Sequence, residues 1–185
     1  RRQYVDEPVA INFLKRYAAD LEKEQGQHVQ PFKAPDTGRK VAVIGGGIEG
    51  LSAAFFSARL GHATTVYEAT EKVGGLLRSA IARYRLPMDI LRGEVAAIEN
   101  MGVEIRYNTE VGKDIALAEL EENFDAVFIA IGAHASTPMR VEGEDAGYDG
   151  FIPGVKFLLD VNQGRDPYPE GKRVVVVGGG NVAID

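Results

Sequence analysis

Residues 41–54, VAVIGGGIEGLSAA, set Gly45, Gly47 and Gly50 in a G-x-G-x-x-G frame between an apolar run and an amphipathic one. An apolar stretch that ends in such a frame reads as a buried strand turning directly into a helix. Each glycine has its own task. Gly45 permits the tight turn, Gly47 lets the backbone approach a pyrophosphate, and Gly50 lets the helix pack on the strand. Ile48 and Glu49 open that helix, whose N-terminus offers unpaired N–H groups and about half a unit of positive charge to an anion.

A second strand, ATTVYE, closes on Glu68 about twenty positions later, where a carboxylate can accept both hydroxyls of an adenosine ribose. Strand, turn, helix, strand and acid in this order predict a βαβ unit that binds a dinucleotide. A carboxylate repels a 2′-phosphate, so the pattern predicts FAD or NAD at this turn, not NADP. A related turn returns at residues 174–185, VVVVGGGNVAID, where Ala183 replaces the third glycine after Gly178 and Gly180.

The remaining chain alternates helices and strands. Residues 6–25 predict a helix with Asp6 as N-cap and Pro8 in its first turn; Val9, Phe13, Leu14, Tyr17, Ala18 and Leu21 share one face, and Gly26 stops it. Pro31, Pro35 and Gly38 mark the next stretch as a connector over a surface. After the loop containing RYRLP, residues 88–101 predict a helix, VEIRYN a strand, and IALAELEEN a short helix capped by Asp114. DAVFIAIGA reads as a central parallel strand, apolar almost throughout. A turn-rich junction at residues 142–150 precedes a short helix in FIPGVKFLLDVNQG and a last strand, RVVVVG.

Composition narrows the chemistry. A net charge of -6, with no long basic run, argues against binding nucleic acid through its phosphates. The chain has no cysteine, so these residues form no disulfide, thiolate nucleophile or iron-sulfur ligand set. No apolar run approaches the roughly 18 residues of a membrane span, and the first residues lack a signal-peptide core, which predicts a cytoplasmic protein. No P-loop lysine and no G-x-S-x-G frame is present, so phosphoryl transfer and serine hydrolysis find no support. His28, His62 and His134 have no metal-ligand spacing and read as surface or packing residues. Arg78, Arg83 and Arg85 could meet phosphate, flavin or a substrate carboxylate, or form a solvated loop. ELEEN and EGED read as solvated acidic faces.

Two further segments carry a resemblance. VYEATEKVGGLLR, with Gly74 and Gly75 just past the acid, resembles the extended motif of flavoproteins with two dinucleotide-binding domains. IAIGA, containing Ile131 and Gly132, resembles the signature where such chains leave the flavin domain. With DEPVAINFLKRYAAD, GVEIRYNTEVGKD and VVVVGGGNVAID added, nearly the whole chain resembles the small subunit of glutamate synthase and its relatives. These are the FAD- and NAD(P)H-binding modules also found in dihydropyrimidine dehydrogenase and in electron-bifurcating transhydrogenases.

That resemblance implies an α/β, Rossmann-like flavoprotein with two dinucleotide-binding domains, incomplete at the C-terminus. Residues 1–38 would be the tail of an iron-sulfur-type helical domain with its connector, 39–150 the first part of the FAD domain, and 151–185 the start of the NAD(P)H domain. It also implies an FAD pyrophosphate at Gly45, Gly47 and Gly50 and its ribose at Glu68. Gly75, Leu76 and Leu77 would lie along the flavin, Val111 beside the adenine and Gly132 near the cofactor. Gly178, Gly180, Asn181 and Val182 would open a site for NADPH or NADH. Hydride would pass between nicotinamide and flavin, and electrons then to iron-sulfur clusters held elsewhere or by a partner subunit, with no membrane span. The chain departs from the pattern in three places. It lacks the cluster ligands, has SAIARYRLP without Gly-Ile-Pro-Glu, and carries Glu49 in the phosphate turn, where the side chain is expected to point away. The alternative is a truncated or non-catalytic flavin-binding scaffold. An amine-oxidase-like flavoenzyme would share the early glycines but not the second nucleotide turn.

Overall fold

The computed structural model describes residues 4–26, 31–133, 135–165 and 173–184. The chain divides into two compact units, Arg1–Phe32 and Lys33–Asp185. In the first, one helix, α1 (Ile11–Gln25), begins later than the spacing predicts. Asp6 is not its cap: the Asp6 carboxylate accepts the Glu7 N–H at 2.8 Å, and Ala10 at the N-cap has no oxygen to offer. Gly26 does end the helix, at φ 62°, with its N–H donated to the Lys23 carbonyl. No residue of α1 is buried, the apolar face included.

The second unit is built on four parallel strands: β1 (Lys40–Ile44), β2 (Ala63–Tyr67), β3 (Glu104–Arg106) and β4 (Ala126–Ile129). Their order across the sheet is β3-β2-β1-β4. The registers set Val43 between Val66 and Phe128, and Ile44 between Tyr67 and Ile129. Helix α2 (Ile48–Arg59) links β1 to β2. Helices α3 (Leu76–Ser79) and α4 (Met88–Asn100) follow β2, and α5 (Leu117–Asn123) precedes β4. Two more helices, α6 (Gly154–Asn162) and α7 (Asn181–Ile184), come after the sheet. No helix among the described residues is long and apolar enough to cross a membrane.

Side chains alternate across a strand, so β1 feeds two cores. Val43 packs with Ala54, Ala58, Val66, Met101 and Val103 on the face covered by α2 and α4. Ala42 and Ile44 pack with Tyr67 and Leu120 on the face covered by α5. On α2, Gly50, Ala54 and Ala58 recur every fourth position and are all buried, a small-residue edge that lets the helix lie close to the sheet. A third cluster, Leu51, Val73, Leu91 and Val95, joins α2 to the loop after β2 and to α4.

The connector is docked as expected. Ala34 N–H donates to the Arg59 carbonyl at 2.8 Å and Thr37 N–H to that of Gly61 at 3.0 Å. Gly61 sits at φ 87°, where any Cβ would overlap the Pro35 carbonyl oxygen. Lys33 Nζ donates to the Met101 carbonyl at the end of α4, at 2.7 Å. Asp125 ties the starts of β1 and β4 together. It accepts the Lys40 N–H and the Arg39 guanidinium, both at 2.8 Å, and these bonds hold its carboxyl below the usual range.

The structure corrects three further expectations. Asp114 does not cap α5; its carboxylate accepts the Glu110 N–H at 2.8 Å, while Ala116 takes the N-cap position without a side-chain bond. β4 is not a central strand covered on both faces but an edge of the sheet. Phe128 is 41% and Ile129 56% exposed, because nothing pairs on its outer side among the described residues. Residues 174–177 form no strand among the described residues, and Val175 is 87% exposed. A parallel strand needs neighbours to satisfy its N–H and C=O groups, and the described residues supply none there.

α6 forms as the spacing predicts and is fastened to the loop after α3. Asn162 Nδ2 donates to the carbonyls of Ser79 and Ile81, at 3.1 and 3.2 Å. Buried Asp160 pairs with Lys156 and Arg165, each at 2.6 Å, and these partners hold its carboxyl below the usual range.

Leu120 is 1% exposed, whereas Leu117 on the same helix is 40% exposed. Leu120→Ala should therefore cost about 2–5 kcal/mol in urea unfolding. Leu117→Ala should stay within about 0.5 kcal/mol of the parent chain.

Candidate dinucleotide-binding site

The glycines of the first turn differ in what the fold demands of them. Gly45 sits at φ 102°, donates its N–H to the Tyr67 carbonyl at 2.8 Å, and lies against the end of β4, where a Cβ would overlap the Ala130 carbonyl oxygen. A Cβ on Gly50 would overlap the Gly45 carbonyl oxygen, so close packing of helix on strand requires glycine there. Gly47 is different. Its φ of -76° and ψ of -173° suit any residue, and a Cβ would meet nothing nearer than the Gly75 Cα at 3.9 Å. The fold does not need a glycine at 47. The space its missing side chain leaves is open toward whatever the turn holds.

Gly47 is also the N-cap of α2, and no side chain caps the helix. An N-cap without an oxygen leaves the first N–H groups for an external acceptor, the arrangement that suits a phosphate. Ile48 and Glu49 form the exposed first turn, and Gly50 is buried beneath them.

Glu68 is fixed at the rim by three donors. Its Oε2 accepts the Gly46 N–H at 2.8 Å, and its Oε1 accepts the Thr70 N–H at 2.9 Å and the Thr70 hydroxyl at 2.7 Å. An ionised carboxylate has about four acceptor positions, so with three taken Glu68 keeps one for a ribose hydroxyl. The paired glycines latch onto the same turn: Gly74 N–H donates to the Gly46 carbonyl at 2.7 Å, and Gly75, at φ 48°, would bring a Cβ within 2.9 Å of the Gly47 Cα.

The fold therefore gathers several of the residues singled out in the sequence. Gly45, Gly47, Gly50, Glu68, Gly74 and Gly75 surround one turn. Leu76 follows, 40% exposed, while Leu77 packs inward against the third core cluster. Val111 belongs to a loop tied to the rim, since Thr109 N–H donates to the Glu68 carbonyl and Asn108 N–H to that of Thr70. Ile131 and Gly132 leave the end of β4 immediately after Ala130, and both are exposed. Gly178, Gly180, Asn181 and Val182 stand apart from this cluster. They lead into and form α7, which packs on α6, where a Cβ on Gly154 would come within 2.8 Å of Val182.

Three residues outside the fixed motif positions also shape the turn. A Cβ on Gly46 would overlap the Val73 side chain and lie 2.9 Å from Glu68 Oε2, so Gly46 and Val73 together set the depth of the turn. Thr70 is the second clamp on Glu68, and the hydroxyl two positions past the acid was its sequence signal. Among the arginines, Arg85 stacks on Tyr84 at 5.7 Å, and Arg78 and Arg83 line a separate cavity. His62 is a packing residue, 2.7 Å from the Thr37 hydroxyl. His28, His134 and Asp185 lie outside the described residues.

Comparison with known proteins bears on the family and the fold. The family model described as pyridine nucleotide-disulphide oxidoreductase matches residues 39–185. The chain is 49% identical to the beta subunit of an NADP(+)-dependent formate dehydrogenase of Moorella thermoacetica, covering 100% of this chain and 29% of that protein. It is 36% identical to the glutamate synthase [NADPH] small chain of Escherichia coli, covering 96% of this chain and 39% of the relative. Among solved structures it resembles Mycobacterium tuberculosis FprA in complex with NADPH, at 26% identity and a TM-score of 0.58, over 70% of this chain and 29% of that one. The chain thus spans well under half the length of these relatives. Its parallel α/β sheet, its glycine turn and the match over residues 39–185 make one assignment: the chain belongs to the pyridine nucleotide-disulphide oxidoreductase family.

Proposed function

We propose that this chain is the FAD-binding part, with the opening of a nicotinamide-nucleotide part, of an oxidoreductase like the glutamate synthase small subunit. It would pass electrons between NADPH or NADH and FAD, and on to iron-sulfur clusters or a catalytic partner subunit. Gly47 carries the reading: a glycine that the fold does not require stands at the uncapped start of α2, between two glycines that the fold does require. Relatives named for NADP(+) and NADPH support trying NADPH first as the reductant. The domain division proposed from the sequence places the FAD part at residues 39–150 and the nicotinamide part at 151–185.

In this reading the backbone at Gly45, Gly47 and Gly50, with the first N–H groups of α2 at Ile48 and Glu49, holds the pyrophosphate. Glu68, already braced by Gly46 and Thr70, receives the ribose. Val111 borders the adenine, while Gly74, Gly75, Leu76 and Leu77, together with Ile131 and Gly132, border the flavin. Gly178, Gly180, Asn181 and Val182 open the nicotinamide site. Bound FAD would supply the redox chemistry, taking a hydride from nicotinamide and releasing its electrons singly. The residues of this chain bind and orient; hydride transfer asks no general acid or base of them. With no cysteine in the chain, the disulphide chemistry in the family's description is not carried by these residues.

A second reading is a flavin-binding scaffold without turnover.

Two measurements follow. The purified chain should retain or take up FAD, and NADPH should bleach its visible absorbance under anaerobic conditions. Flavin that neither NADPH nor NADH bleaches would favour the scaffold, and no flavin uptake would contradict both readings. Gly46→Ala, by forcing Val73 and Glu68 apart, should lower stability by about 1–3 kcal/mol in chemical denaturation.

A further inference from the structure

On the outer side of the loop between Glu68 and Arg78 lies a cavity of about 490 Å³ that none of the turn glycines and no atom of Glu68 lines. We propose that this cavity is a second, anion-binding site, and that its ligand is a small organic phosphate monoester of about nucleotide size. It stands independently of whether FAD binds at the glycine turn.

Four cationic side chains line the cavity, Lys72, Arg78, Arg83 and Arg92, against two carboxylates, Glu71 and Glu99, a surplus of two positive charges. The carboxylates are already engaged. Glu71 pairs with Lys72 at 2.8 Å, and Glu99 accepts the Tyr107 hydroxyl at 3.3 Å. None of the three arginines lies within ion-pair distance of a carboxylate among the described residues.

Each arginine is nonetheless held by a backbone carbonyl. Arg78 Nε donates to Val73 at 2.8 Å, Arg83 Nη2 to Asn162, and Arg92 Nε to Met88 at 3.3 Å. A guanidinium has five N–H donors, so each retains several, and its planar fork matches phosphate oxygens in pairs. Three guanidiniums and a lysine around one concavity, with two more cationic than anionic groups, make it a place that favours an anion. The cavity is also larger than a bare phosphate needs and falls within the volumes usual for small-molecule sites. Val73 and Val95, buried at 2% and 7% exposure, with Met88 and Tyr107, supply an apolar and aromatic wall for the organic part.

Adenosine 5′-monophosphate is the test probe, titrated calorimetrically into the chain alongside adenosine and inorganic phosphate. The site predicts that the monophosphate binds more tightly than either comparator. Arg83→Gln with Arg92→Gln should weaken it at least about tenfold, the loss of one charge-assisted contact or more. Arg92→Gln alone, whose one backbone bond lies within its own helix, should weaken it in the same direction while leaving the circular dichroism unchanged. Glu99→Gln should tighten it, and Gly47→Val, which fills the glycine turn, should leave it unchanged. The proposal is overturned by absence of binding at millimolar concentration, or by binding that survives the arginine substitutions. Loss on Gly47→Val places the probe in the glycine turn and also overturns it. Equal affinity for adenosine removes the anion from the recognition, and equal affinity for inorganic phosphate removes the organic part; either result overturns the assignment.

Discussion

The contact on which the rest of the molecule depends is the one between Gly50 and the Gly45 carbonyl. No Cβ fits between them, so α2 can descend onto the end of β1 only if residue 50 has no side chain. Ala54 and Ala58 continue the close approach one and two turns later, both almost wholly buried. Bringing a helix this near to a strand aims its uncapped N-terminus over the sheet's C-terminal edge, where the N–H groups and the helix dipole favour an anion. The parallel order β3-β2-β1-β4 then sets Glu68 and Ala130 on either side of that edge, so the turn inherits both an acidic rim and a floor.

Around this contact the loops are fastened to one another more than to the sheet. Gly74 bonds to Gly46, Gly75 presses on Gly47, Thr70 braces Glu68, and the loop containing Val111 is tied to residues 68 and 70. A binding edge assembled from loops is accurate only if each loop is held, and here each holds another. The same economy extends to α6, which Asn162 fastens to the loop after α3 through two carbonyls. The start of the segment leading toward the second glycine turn is thereby joined to the margin of the first site.

What could be read from the sequence follows from how local each cause is. Gly45 and Gly50 were legible because a strand-to-helix turn constrains backbone over a few residues. Gly46 was not, because its constraint comes from Val73 and Glu68, more than twenty positions away in chain and adjacent only after folding. Asp6 and Asp114 misled for a related reason: each finds a nearer N–H, on Glu7 and Glu110, and a cap is a competition that composition does not decide. The apolar runs at residues 126–129 and 174–177 announce strands with faces to bury. Whether neighbours are present to bury them is a property of topology, and among the described residues β4 has a partner on one side only.

On the proposed function, glycine at 47 would serve a bound dinucleotide, since the fold leaves room there for a Cβ. Replacing Gly47 by alanine and measuring FAD affinity beside unfolding free energy on the same preparation tests it most directly. Flavin binding should weaken by at least about tenfold, while stability falls by no more than about 1 kcal/mol, the difference between glycine and alanine at an N-cap. Undiminished flavin binding, or a loss that only tracks a drop in stability, would contradict it.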